Sequence, residues 1–288
     1  MRFEPLITLW FLIPAAIAGV TIVVWQLYEY RKKHKKISVV WGMRAALVLF
    51  MFLTALGPEI AGSSTSPGVK NLEVLFVLDT TSSMGATDYK DTKLRIDGAK
   101  ADMRAIADQL NGAYFGLVTF DSKANVVLPF TSDNSIIEAA TDAANREVYG
   151  TSRGSAIDTP IKTVTDLLKN AELVNPERKR IVFYLGDGEQ TSEGKPKSFK
   201  DVAEYVDGGA VLGYGTTKGA KMLRYKGYGE ENLKAKKSTD YVNTFDDSQK
   251  LIPAISKLDE KNLEILAKEL DVSYVNRNKG GSAEKITE

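Results

Sequence analysis

The chain has 288 residues, 43% of them hydrophobic, and its 38 basic residues almost balance its 37 acidic ones. This length and composition allow one or two domains with a buried core, and the balanced charge gives no reason to expect a nucleic-acid partner. The absence of cysteine excludes disulfides, thiolate metal ligands and cysteine nucleophiles.

Residues 1–60 have the pattern of a membrane anchor. Two apolar segments, at about 6–30 and 37–57, are each long enough to cross a hydrocarbon core of about 30 Å. Residues 31–36 between them form a short basic loop, which the positive-inside rule places in the cytoplasm. The sequence therefore predicts a two-pass membrane protein whose remaining domain lies outside the cytoplasm. A secretory signal peptide is the alternative for the first segment.

Residues 61–70 are rich in small residues and predict a linker, and residues 71–288 predict one domain. Apolar runs predict strands at 72–78, 114–120, 126–130, 181–185, 210–214 and 272–275, and helical spacing predicts helices near 99–110, 135–148, 161–171, 199–206 and 259–270. This alternation predicts an α/β fold with a doubly wound, mostly parallel sheet and helices on both faces. The chain after the last strand is expected to be too short for a long terminal helix.

Carboxylate and hydroxyl side chains follow two of the predicted strands. Asp79, Thr81 and Ser83 come directly after the first strand, Asp187 follows the fourth, and Thr151 lies in the loop between them. Ligands of open parallel sheets bind beyond the carboxyl ends of the strands, so we expect these side chains at one exposed edge. Such oxygen donors favour Mg²⁺, Ca²⁺ or Mn²⁺ over zinc or copper. Taken singly, each piece is also typical of a turn or a helix cap.

In this order the residues resemble the metal-ion-dependent adhesion site (MIDAS) of the von Willebrand factor A (VWA) family, which reads Asp-x-Ser-x-Ser, then Thr, then Asp. The resemblance implies direct metal contact from Thr81, Ser83 and Thr151, and a mainly water-mediated or indirect role for Asp79 and Asp187. Thr81 stands where the family usually has serine. It keeps the hydroxyl and adds a methyl group.

Residues 211–220, residues 258–267 and the two leading apolar segments are similar to the bacterial, membrane-anchored BatA/BatB-type members of that family. Those members are usually encoded beside MoxR-type ATPases. The resemblance implies an envelope protein that binds an acidic side chain of a protein partner through the metal, in the assembly or regulation of protein complexes. It also implies a functional link to a MoxR-type ATPase.

No enzyme activity is expected. The only histidine, His34, lies in the basic loop, so a Ser–His–Asp set has no candidate base. Two alternatives remain open at this point: a metal-assisted hydrolase that uses Asp79 as nucleophile or base, and a channel-associated subunit.

Overall fold

The computed structural model divides the chain into two units, Met1–Ser64 and Thr65–Glu288. It describes residues 69–90, 92–150, 154–227 and 240–279, together with scattered positions between Arg2 and Glu59. Several sequence predictions therefore lie outside the described residues, among them the basic loop 31–36, most of the linker, Thr151 and the terminal segment after 279.

In the first unit, Arg2–Phe3 pairs with Pro58–Glu59 as a short antiparallel ladder. The described positions within 6–30 and 37–57 are helical, and the other positions of these two segments lie outside the described residues. Among the residues that are described, no helix is both long and apolar enough to cross a membrane.

The second unit is built around a six-stranded sheet. The described strands of this unit, of which β6 to β9 lie outside that sheet, are in chain order β1 (Leu72–Asp79), β2 (Tyr114–Phe120), β3 (Ala124–Thr131), β4 (Lys179–Gly186), β5 (Gly208–Gly213), β6 (Ala220–Lys221), β7 (Asn243–Phe245), β8 (Leu251–Pro253), β9 (Ile255–Ser256) and β10 (Ser273–Asn276). Its helices are α1 (Arg95–Gln109), α2 (Asn134–Ala143), α3 (Ile161–Val174), α4 (Lys200–Ala203) and α5 (Glu260–Glu269). The sheet order is β10-β5-β4-β1-β2-β3, and every pair is parallel except β2 with β3.

The central strand β1 is apolar on both faces because helices cover both. Val74, Phe76 and Leu78 pack into one core with α1 and α2. Leu75 and Val77 pack into the other core with α3, α4 and α5. A strand buried on both sides favours apolar residues on both faces, which explains the apolar run from Val74 to Leu78. The predicted α/β sheet, mostly parallel with helices on both faces, is confirmed.

Two predicted helices are longer in the sequence pattern than in the structure. Helix α2 ends at Ala143, well before the expected end at residue 148, because Ala144 turns to an extended conformation (φ −64°, ψ 112°). The next residues run toward the sheet edge, where the Glu147 N–H donates to the Thr80 carbonyl at 2.8 Å. Helix α4 covers only Lys200–Ala203 of the predicted 199–206.

Residues 216–257, here called the insertion, contain short strands that the sequence analysis did not predict. Strand β6 pairs with β9 and β7 pairs with β8, both antiparallel. The Leu223 N–H donates to the Gly85 carbonyl and the Tyr149 N–H donates to the Tyr225 carbonyl, both at 2.9 Å. The described parts of the insertion therefore lie against the loops that follow β1 and α2.

Candidate metal-binding site

Neighbouring strand ends bring two carboxylates together. Strands β1 and β4 are parallel, with Leu78 opposite Leu185, so Asp79 at the end of β1 lies beside Asp187, which follows β4. Gly186 permits this approach, because a Cβ there would lie 3.1 Å from the Asp79 Cβ. Asp79 is 1% exposed and Asp187 is 0% exposed. The expectation that both lie at exposed strand ends is therefore wrong, because Thr81 packs against Asp79 while Arg95 and Glu189 pack against Asp187.

Thr81 and Ser83 fold back onto Asp79 at the start of a 3-10 turn, Ser82–Gly85. Thr81 donates to Asp79 Oδ1 from its backbone N–H at 2.8 Å and from its hydroxyl at 2.7 Å. The Ser83 Oγ lies 2.8 Å from the Thr81 Oγ1. Because the single Thr81 hydroxyl proton goes to Asp79, Ser83 is the donor in that contact. Both hydroxyls keep lone pairs. Thr151 lies outside the described residues.

The electrostatics of Asp79 favour a cation nearby. Burial raises the pKa of Asp79 well above its usual value, repulsion from Asp187 raises it further, and the hydrogen bonds from Thr81 offset only part of this. Within the described residues, no basic side chain forms an ion pair with Asp79. A bound cation would favour the charged carboxylate and relieve the repulsion.

Asp187 already has a cation partner, the fully buried Arg95. The Arg95 Nη1 donates to Asp187 Oδ2 at 2.8 Å, while its Nε and Nη2 donate to the two oxygens of Asp88 at 2.8 and 3.0 Å. Burial alone would lower the pKa of Arg95, but Asp187 and Asp88 raise it overall. Gly215, with φ +107°, makes room for the guanidinium, because a Cβ there would overlap it.

The insertion reaches Asp187 through the same network. The Arg95 Nη1 also donates to Ser256 Oγ at 2.7 Å, and Ser256 donates to Glu189 at 2.6 Å. The Glu189 N–H in turn donates to Asp187 Oδ1 at 3.1 Å. Both oxygens of Asp187 therefore accept hydrogen bonds, which suits an indirect role toward a metal.

Sequence reasoning missed Arg95, Glu147 and Ser256. Arg95 carried a signal, since it continues the buried stripe of Ala99 and Met103 on α1, where an arginine needs a buried acid. The Glu147 carboxylate accepts from the Ser82 N–H at 2.8 Å and from the Ser82 hydroxyl at 2.9 Å. The sequence pattern placed Glu147 on a helix and did not indicate that it lies at the site. It gave no such indication for Ser256 of the insertion either.

The donor set fits a hard divalent cation. Carboxylate and hydroxyl oxygens are the ligands that Mg²⁺, Ca²⁺ and Mn²⁺ prefer. Across the described ranges, no group of three or more His, Cys, Asp or Glu side chains could hold a metal. A metal at this edge would therefore depend on the hydroxyls of Thr81 and Ser83 and on water as well as on the two carboxylates.

Comparison with known proteins agrees with this architecture. Residues 74–190 match the family model of the von Willebrand factor type A domain. The crystal structure of BatB, a conserved hypothetical protein from Bacteroides thetaiotaomicron, is similar with a TM-score of 0.57 and 26% identity, over 74% of this chain and 94% of that chain. An aerotolerance-related membrane protein from Bacteroides fragilis gives a TM-score of 0.56 and 22% identity, over 75% and 96%, and shows the fold alone.

A relative from Borreliella burgdorferi, described as an uncharacterized protein, is 28% identical over 149 residues. Those residues are 52% of this chain and 41% of that protein, so the chain spans about two fifths of that relative's length. The family match and the likeness to BatB together support a VWA domain in the second unit.

Proposed function

We propose that this protein is a membrane-anchored, non-enzymatic module that binds a protein partner through a divalent metal ion. The metal site would comprise Asp79, Thr81, Ser83, Thr151 and Asp187. The metal, Mg²⁺ or alternatively Ca²⁺ or Mn²⁺, supplies a positive centre whose coordination a partner's carboxylate completes. This extends the protein-interaction role that the VWA domain suggests.

One observation carries the proposal: Asp79 is a buried carboxylate beside a second one, with the Thr81 hydroxyl against it and the Ser83 hydroxyl against Thr81. Within the described residues no cation pairs with it, and burial raises its pKa. A buried unpaired charge is costly, so a site that keeps one is suited to a cation from solution. Thr81 orients Asp79 by two hydrogen bonds, and Arg95 fixes Asp187.

The same geometry argues against a hydrolase in which Asp79 attacks or deprotonates a substrate. The Asp79 side chain is 1% exposed, and its Oδ1 already accepts two hydrogen bonds from Thr81. A nucleophile or general base must reach the substrate directly or through one water. Asp79 is better placed to hold the turn that carries the hydroxyls.

The anchor belongs to the same proposal. Segments 6–30 and 37–57 would cross the membrane, with the loop 31–36 in the cytoplasm and the VWA domain outside it. Large apolar side chains at described helical positions of these segments are 57% to 70% exposed, namely Ile22, Trp25, Tyr28, Met43, Leu47 and Phe50. Such exposed apolar surface suits contact with lipid. A cytoplasmic MoxR-type ATPase would then reach only the loop and the helix ends.

The test is capture of partners by the purified full chain from membrane extracts, in Mg²⁺ and in EDTA. We expect a partner that is retained in Mg²⁺ and lost in EDTA, and that Asp79→Asn loses as well. Asp166→Asn is the matched control, because Asp166 is exposed on α3 and pairs only with Lys162 there. Equal capture in EDTA would mean that the metal does not mediate partner binding.

A further inference from the structure

Arg146 is a partly buried cation beside the candidate metal site. Its Nη1 donates to the Leu223 carbonyl at 2.5 Å, and its guanidinium lies 5.5 Å from the centre of the Tyr225 ring. Across the described residues, no carboxylate forms an ion pair with it, and its Nε and Nη2 have no protein acceptor. Among the described residues, the charge is therefore held near the site without a carboxylate in hydrogen-bond contact.

The turn that carries Ser83 leaves room for the Arg146 guanidinium. A Cβ at Gly85 would overlap the Arg146 guanidinium, so the glycine lets the cation lie directly on the Ser82–Gly85 turn. Burial lowers the pKa of Arg146 to about 10, and the charge of Asp97 only partly offsets this. A cation that loses solvation without gaining a counter-ion is one that an incoming anion stabilises.

The surroundings of Arg146 are exposed and apolar. Val148 and Tyr149 are 41% and 44% exposed, and the Arg224 guanidinium lies 4.1 Å from the centre of the Tyr149 ring. A Cβ added at Gly150 would meet nothing within 4 Å. As far as the described residues go, a partner segment can therefore approach Arg146 from this side.

We infer that Arg146 is a second anion-binding position, and that the partner presents two carboxylates, one to the metal and one to Arg146. The inference rests on the proposed function, because the metal receives the first carboxylate. Nε and Nη2 form the edge of a guanidinium that binds a carboxylate with two parallel hydrogen bonds. Arg95 uses this same edge on Asp88, at 2.8 and 3.0 Å, whereas no described residue accepts a hydrogen bond from this edge of Arg146.

The test compares acetate with glutarate, adipate, pimelate and suberate as ligands of the full chain in saturating Mg²⁺. We expect at least one dicarboxylate to bind about tenfold more tightly than acetate, as a charge-assisted second contact would give. Arg146→Gln should reduce this dicarboxylate to the affinity of acetate, while Mg²⁺ and acetate still bind. Arg146→Lys should retain part of the gain.

Arg104→Gln is the matched control, because Arg104 is an exposed arginine of α1, 40% accessible, that pairs with Asp142. This variant should bind the dicarboxylate more tightly than acetate by the same factor as the unaltered chain. If Mg²⁺ and acetate bind but no dicarboxylate exceeds acetate, or if the gain survives in Arg146→Gln, the inference is wrong and the proposed function stands. If neither Mg²⁺ nor acetate binds, the proposed function fails, and the two-carboxylate inference fails with it.

Discussion

Asp79 and Asp187 are the same residue type, equally buried at adjacent strand ends, yet their partners differ. Asp187 accepts a 2.8 Å hydrogen bond from the buried Arg95, whereas Thr81 is the only described residue that donates to the Asp79 carboxylate. Burial without a counter-ion raises the pKa of Asp79. The two carboxylates should therefore contribute oppositely to the stability of the metal-free protein.

We expect Asp187→Asn to lower the free energy of unfolding in EDTA by roughly 3 kcal/mol, because Arg95 stays buried with only Asp88 to balance it. Asp79→Asn should leave that free energy unchanged or raise it, because a neutral amide removes an uncompensated buried charge. Urea unfolding of both variants measures the difference. Asparagine is used because alanine would leave a cavity at these buried positions. An equal loss in both variants would contradict this assignment of partners.

For single residues, the sequence predicted which chemical groups lie at the site but not how deeply they are buried. An acid followed by hydroxyls after an apolar strand predicted the positions of Asp79, Thr81 and Ser83. Their surroundings include Arg95 and Glu147, which are distant in sequence, and a local pattern cannot show how distant residues pack. Arg95 was missed although it lies one turn before the apolar stripe of α1, a position that indicates a buried arginine.

Helix α1 and the last strand β10 are joined by a second buried ion pair. Just beyond β10, Arg277 donates to Asp102 of α1 from Nε at 2.6 Å and from Nη2 at 2.8 Å. The Tyr214 hydroxyl donates to the same carboxylate at 2.8 Å. All three residues are buried, so this group fixes the end of β10 against α1.

We expect Asp102→Asn to lower the free energy of unfolding by about 3–5 kcal/mol, because it leaves the Arg277 charge buried without its carboxylate. The control is Asp142→Asn, which removes the exposed pair with Arg104 and should cost less than about 1 kcal/mol. Chemical denaturation of the two variants measures both values. A loss at Asp102 no larger than at Asp142 would show that the buried pair does not hold α1 and β10 together.

The elements that the sequence predicted well are those whose signal is local. Apolar runs gave the six strands of the main sheet, and helical spacing gave α1, α3 and α5. The end of α2 was misjudged because the hydrogen bond from Glu147 to Thr80 draws the chain away from the helix. The strands of the insertion are two or three residues long, too short for a period to appear.

In the molecule as a whole, the function that we propose requires the second unit to bind a metal at one edge of its sheet. The binding of a partner and the dicarboxylate preference both depend on that metal. The MIDAS resemblance and the geometry of Asp79, Thr81, Ser83 and Asp187 support its position. Measuring Mn²⁺ binding to the full chain tests whether a metal binds at this edge, and it does not require the partner to be known.

The measurement is calorimetric titration of Mn²⁺ into the full chain, Asp79→Asn, Asp187→Asn and the Asp166→Asn control. We predict one saturable site in the unaltered chain and in Asp166→Asn, and its loss in the other two variants. Bound metal should also stabilise the unaltered chain by about 2.7 kcal/mol at a hundredfold excess over its dissociation constant. If Asp79→Asn and Asp187→Asn bind Mn²⁺ as tightly as the unaltered chain, the metal does not bind at this edge of the sheet and the account is wrong.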